Sequence, residues 1–241
     1  MKHTLILLAA GLLLLGACKK DEAPAPTGGG TPAPAAVTMT DVDGNTYATV
    51  LIEGARWTKV NLRTTHYSNG DPIVDDLEVG DVTGSGAYGE VNGTENNALL
   101  YGRLYNVNAV RDSRGLCPSG WHLSTDADWL ALETFLGMPT AELGILGMRG
   151  GTQSVGGKLK AQTQWNSPNT GATDQVGFKA LPAGRYIAGF ELFGIWGIFW
   201  TSTQDSQSSF QYYRQLTNSN AGIGRNIGSL GFAFSCRCVQ D

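Results

Sequence analysis

The chain has 241 residues, a formal net charge of −4, only 16% charged residues and 33 glycines. A mildly acidic chain without a basic cluster offers no surface for nucleic acid or for anionic lipid headgroups. So much glycine with so little charge points to a loop-rich extracellular fold with many tight turns, and away from a helical bundle.

Lys2 and His3 precede an apolar run from Leu5 to Leu15, which closes as Leu15-Gly16-Ala17-Cys18. A basic start, a short apolar stretch and small residues make a secretory leader, and the run falls short of the ~20 apolar residues that a bilayer span needs. Leu-Gly-Ala-Cys resembles the bacterial lipobox, which implies cleavage before Cys18 and acylation there, a membrane partner reached through a lipid anchor. Lys19-Lys20-Asp21-Glu22 resembles the export signal of Bacteroidetes surface lipoproteins, which implies an outer-membrane, surface-exposed location. The Pro- and Gly-rich stretch 23–36 cannot bury a core and reads as a tether. The expected organisation is a leader over 1–17, anchor and tether over 18–38, and one folded domain over 39–241.

"DVDGNTYATVLI" alternates after an Asp-Gly turn and predicts the second arm of a hairpin. "RWTKVNL" predicts a strand with Trp57, Lys59 and Asn61 on one face and Thr58, Val60 and Leu62 on the other. Residues 68–97 lack periodicity and read as a long loop. The main helix is predicted in "STDADWLALETFLG": Thr125 and Asp128 resemble a capping box, Trp129, Leu132 and Leu136 form one apolar stripe, and Gly137 stops it. A second short helix is expected over 140–146, followed by Gly-rich segments and short aromatic strands up to "GFAFSCRCV".

Outside the anchor stand Cys117, Cys236 and Cys238. In an oxidising compartment two should pair. Cys236 and Cys238 lie two apart on one strand, too far for an easy mutual bond. Cys117 therefore pairs with one of them, closing a loop of about 120 residues worth ~4–5 kcal/mol in the chain-entropy picture. That use of Cys117 weighs against a Cys117–His122 nucleophile pair. His66 and His122 are far apart in sequence with no second ligand at helical spacing, so neither a metal nor any other cofactor is expected. Asp41, Asp43 and Asn45 alternate as calcium ligands do, but lack the glycine placement and distal glutamate of an EF-hand, and a hairpin turn accounts for them.

"DVDGNTYATVLIEGARWTKVNLRT", "YGRLYNVNAV", "LCPSGWHLSTDADWLALE", "GGKLKAQTQW", "GFKALPAGRY", "IFWTST" and "GFAFSCRCVQD" occur in order. Together they resemble the Fibrobacter succinogenes major paralogous domain, a surface-lipoprotein module, over about residues 40–241. The resemblance implies an α+β, C-type-lectin-like fold of the variant shared with the formylglycine-generating enzyme group, with short antiparallel strands and one or two helices. It also implies a Cys117–Cys238 bridge, with Cys236 the alternative partner but expected as a buried free thiol. The sugar-binding calcium triplet of true C-type lectins is not found. The oxidase chemistry of the formylglycine-generating group would need a reactive late cysteine pair, and here one of the two sits at the disulfide position.

These readings leave a non-catalytic binding or adhesion module for an extracellular glycan or protein, with a spacer in a surface assembly as the alternative. Sugar rings pack on aromatic platforms. The candidates are Trp165, flanked by polar residues, with Trp196, Tyr212 and Tyr213, while Trp57, Trp121, Trp129 and Trp200 read as core.

Overall fold

A computed structural model describes residues 37–241 of the chain, so the leader, Cys18 and most of the tether lie outside the described residues. In chain order the first half carries β1 (Thr38–Thr40), β2 (Thr46–Ile52), β3 (Ala55–Thr58), α1 (Leu77–Thr83), β4 (Tyr88–Glu90), α2 (Ala98–Tyr101), β5 (Arg103–Asn106), α3 (Val107–Arg111), β6 (Trp121–Leu123) and α4 (Asp126–Phe135). The second half carries β7 (Gly147–Arg149), β8 (Arg185–Ile187), β9 (Phe190–Glu191), β10 (Trp196–Gln204), β11 (Gln211–Thr217), β12 (Ile223–Gly228), β13 (Phe232–Phe234) and β14 (Cys238–Gln240). The fold is α+β, with three sheets ordered β1-β2-β3-β14-β6, β10-β11-β12-β7 and β4-β5-β13-β8-β9.

The first hairpin forms as expected. Asp41 makes the turn itself: its carboxylate accepts from the backbone N–H of Asp43 and Asn45 and from the side chains of Asn45 and Tyr47. Asp43 turns instead to His66, Thr64 and Thr65. The alternating oxygens are thus spent on the turn and on neighbouring chain.

β3 stops at Thr58, earlier than expected, and the two-faced alternation of "RWTKVNL" does not hold. Trp57, Thr58, Asn61 and Leu62 are all buried. The reason is Arg237, which lies fully buried between the two late cysteines. Its guanidinium donates to the carbonyls of Thr58, Phe178 and Lys179 and to Asn61 Oδ1, and Thr58 Oγ1 accepts from Cys238 N. Thr58 and Asn61 are recruited to satisfy a buried cation.

"GFAFSCRCV" is not one closing strand but two. β13 pairs with β5 and β8, whereas β14 inserts between β3 and β6. Cys238 on β14 is bonded to Cys117 across a sequence separation of 121, and Cys236 is a buried free thiol.

α4 begins with the expected capping box between Thr125 and Asp128, and Trp129, Leu132 and Leu136 are buried. Trp129 meets Trp57, Phe178 and Phe199 in an aromatic cluster with ring centroids 5.2 to 5.6 Å apart. A second cluster gathers Trp200, Tyr213 and Phe234 on the other side of β10. Trp121 packs at its edge, only half buried. The predicted helix over 140–146 is absent. The segment makes only i→i+3 turns, through Glu142 N to Pro139 O and Ile145 N to Glu142 O, and Gly144 disfavours extending them into a helix.

His122, on β6, lies between two carboxylate acceptors, with Nδ1 2.7 Å from Asp241 Oδ1 and Nε2 3.1 Å from Asp128 Oδ2. Partial burial opposes its charge, but the two carboxylates outweigh that and hold the imidazole pKa above its ordinary value. A base whose pKa rises on folding stabilises the fold below its unfolded pKa, near 6.5, and loses that contribution as pH rises through the folded value. The side chain is 37% exposed, so the effect stays under about 1 kcal/mol. The stability difference between the parent and His122→Gln should therefore be larger at pH 5.5 than at pH 8.5 in urea titrations. A difference that grows with pH would contradict this pairing.

Candidate functional site

The four expected platform residues are not brought together. Trp165 is 9% exposed, donates its indole N–H to Ala180 O and lies under Lys160, so it belongs to the core and not to an exposed platform. Its polar sequence neighbours misled because the surrounding loop turns back repeatedly, with Gln164 at φ 75° and Asn169 at φ 44°. Lys160 itself is buried, and its ammonium donates to the carbonyls of Thr170, Thr217 and Asn220, which closes this loop over the sheet. Trp196 is half buried beneath Arg185 at 4.9 Å. Tyr212 and Tyr213 point to opposite faces of β11. Tyr213 packs on Trp200 and Phe234, while Tyr212 lies under Arg225 at 4.1 Å and donates to Asp205 at 2.7 Å. None of the four offers a free ring.

What the structure does assemble comes from the segment read as loop. Residues 68–97 contain α1, capped by Asp76 Oδ1 on the N–H of Glu78 and Val79 and closed by Gly84 at φ 68°, and then β4. The signal was present as Asp76 and Gly84 bracketing seven residues, too few for a visible period. Across from α1 stands the β8–β9 hairpin, whose Tyr186 and Phe190 rings meet edge to face at 5.2 Å.

Between them run two adjoining cavities of about 320 and 410 Å³, and a third of about 230 Å³ lies beside them on α1. Their walls carry Asp75, Asp76, Glu78, Asp81 and Glu90 among Tyr88, Tyr186, Phe190 and Phe232, and no lysine, arginine or histidine. Asp75, Asp76, Glu78 and Asp81 have no ion-pair partner among the described residues. Burial raises the Asp81 carboxyl above its usual range and does the same to Glu90. Glu90 Oε1 accepts from Arg103, but its Oε2 is buried without a partner. Arg103 sits over the Tyr88 ring at 5.0 Å, at the back of the groove. One intramolecular guanidinium thus already shows how this surface holds a cation, by an aromatic face and a carboxylate together.

Other reactive groups are committed. Cys117 is oxidised to Cys238, and burial pushes the Cys236 thiol pKa far up. His66 and His122 are each held by aspartates. Among the described residues no group of three or more His, Cys, Asp or Glu could hold a metal ion.

The family model described as the Fibrobacter succinogenes major domain matches residues 50–240. The chain belongs to this family. The match takes in the whole groove, the Cys117–Cys238 bridge and the buried Arg237, and of the described residues it leaves out 37–49, with the first strand and the beginning of β2, and Asp241. No curated protein and no solved structure matches the chain.

Proposed function

We propose that the chain is a non-catalytic surface lipoprotein, anchored through an acylated Cys18 in the outer membrane, that uses the groove beside α1 to bind a basic segment of a partner protein. The observation that carries this reading is the groove lining: aromatic rings beside Asp75, Asp76, Glu78 and Asp81, which have no ion-pair partner among the described residues, with Arg103 behind Glu90 as the neighbouring cation. Charge complementarity selects lysine and arginine side chains, whose stems pack on Tyr186 and Phe190 while their heads reach Asp75, Glu78 and Glu90. A neutral glycan would find rings here but would leave the carboxylates uncompensated. We also read the three-sheet arrangement as a C-type-lectin-like variant. The insertion of β14 between β3 and β6, which closes the domain end to end, supports that reading, as do the long irregular stretches that carry the groove.

The test is a titration of the full chain with an arginine-rich dodecapeptide and with its glutamate counterpart. The basic peptide should saturate, weaken as salt is raised, and lose at least about tenfold in affinity to Glu78→Lys/Asp81→Lys. These are exposed positions, and neither caps a helix. Equal binding of both peptides, or none, would refute the proposal, and the absence of any ligand would favour a spacer role.

A further inference from the structure

At the opposite end of α1, a separate cavity of about 440 Å³ shares no lining residue with the groove. It is polar, and it is bordered by Tyr67, Ser85, Asn108, Arg111, Asp112 and Arg114. Its size lies within the ~300–1,000 Å³ range of small-molecule sites.

Tyr67 is 1% exposed, yet its hydroxyl has no hydrogen-bond partner. Backbone comes close on one side, because a Cβ on Gly86 would lie 1.9 Å from that oxygen. Burial, then the charge of Asp112, pushes the phenol pKa up to about 12, so the hydroxyl is a neutral donor. Asp112 lies beside it but makes no hydrogen bond to it of normal distance and angle; its two carboxylate oxygens accept from Arg114 at 2.9 and 2.7 Å, and Arg114 stacks on the Tyr67 ring at 4.0 Å. A buried donor left unpaired is costly, and a ligand acceptor would recover that cost.

Arg111 supplies the charge. Its Nε and Nη2 donate to neutral oxygens, on Gln211 and Ser209, and no carboxylate pairs with it among the described residues. Its Nη1 is uncommitted. Arg114 is already paired with both Asp112 and Asp71, so Arg111 is the one cation of the lining without a carboxylate partner. The side chains of Ser85 and Asn108 make no hydrogen bond to the rest of the described chain, and they add a hydroxyl and an amide.

We propose that this cavity binds the carboxylate of a small hydroxylated acid of monosaccharide size, a sugar acid being the class that fits. Arg111 Nη1 and the Tyr67 hydroxyl hold the carboxylate, and Ser85 and Asn108 serve the hydroxyls. One unpaired guanidinium matches a monoanion, and Asp112 repels a phosphate dianion. The site is independent of the groove and stands or falls separately from it.

Calorimetric titration of the full chain with glucuronate, glucose and inorganic phosphate tests this. Glucuronate should saturate, with glucose and phosphate at least about tenfold weaker. Arg111→Gln should weaken glucuronate by more than about tenfold and Tyr67→Phe by about fivefold. Tyr67→Phe removes a hydroxyl that has no partner to lose, so its melting midpoint should not fall, and it decides the question even if Arg111→Gln folds poorly. Glucuronate that fails to saturate, glucose or phosphate binding as tightly, or Tyr67→Phe binding like the parent would each overturn the assignment.

Discussion

Glu133→Gln is expected to destabilise the domain by about 3–5 kcal/mol, which a urea midpoint measures directly. Glu133 is fully buried on α4, where Oε2 accepts from Arg149 at 2.6 Å and Oε1 from Arg214 at 2.6 Å. Arg214 is also fully buried and reaches Asp126 at 2.7 Å, and Arg225 binds the same aspartate from β12. The network joins α4 to three strands of the β10-β11-β12-β7 sheet. Arg149 depends on Glu133 most, because its Nε and Nη2 are buried without partners. Removing the glutamate charge strands that guanidinium in the interior, and the desolvation already spent is no longer repaid. Arg149→Met in the Glu133→Gln background should recover part of the loss. A loss below about 1 kcal/mol in the single variant would show that water reaches the cluster.

Cys117→Ser and Cys238→Ser should each lower stability by about 2–5 kcal/mol, and by similar amounts. The bridge spans 121 residues and ties the segment before β6 to β14, the strand that closes the first sheet. In the chain-entropy picture such a long loop restricts the unfolded chain strongly. A glycine-rich chain has much unfolded freedom to restrict. Cys236→Ala should cost only about 1 kcal/mol, because that thiol is a small buried apolar group and bonds to nothing. Unreduced peptide mapping that joins Cys117 to Cys236 would contradict the bridge.

Where a local rule acts alone, the sequence could be read. Thr125 and Asp128 mark the start of α4 because a cap needs only its own turn, and Trp129, Leu132 and Leu136 mark its buried face because the stripe is continuous. Glu133 stands beside that stripe, and nothing local marks it as buried. Its burial depends on Arg149 and Arg214, which lie 16 and 81 residues away. Arg237 is equally opaque, since it is a cation between two buried cysteines whose acceptors are mostly backbone carbonyls from the end of β3 and from the distant loop at 178–179. The Cys117 pairing with Cys238 came from family resemblance, while spacing alone left Cys236 open. The groove was hidden for a different reason. α1 is seven residues long, its walls come from β4 and from a hairpin about 100 residues later, and only tertiary structure sets Tyr186 against Glu78. Trp165 erred in the opposite direction, its polar neighbours masking an indole that turns inward to Ala180.

The carboxylate and aromatic groove between α1 and the β8–β9 hairpin is the proposed recognition surface. An amide hydrogen-exchange footprint of the full chain with and without the arginine-rich dodecapeptide tests it. Added protection is expected only in residues 75–90 and 185–191, and Glu78→Lys/Asp81→Lys should abolish it. Protection centred elsewhere, or unaltered in that variant, would contradict it.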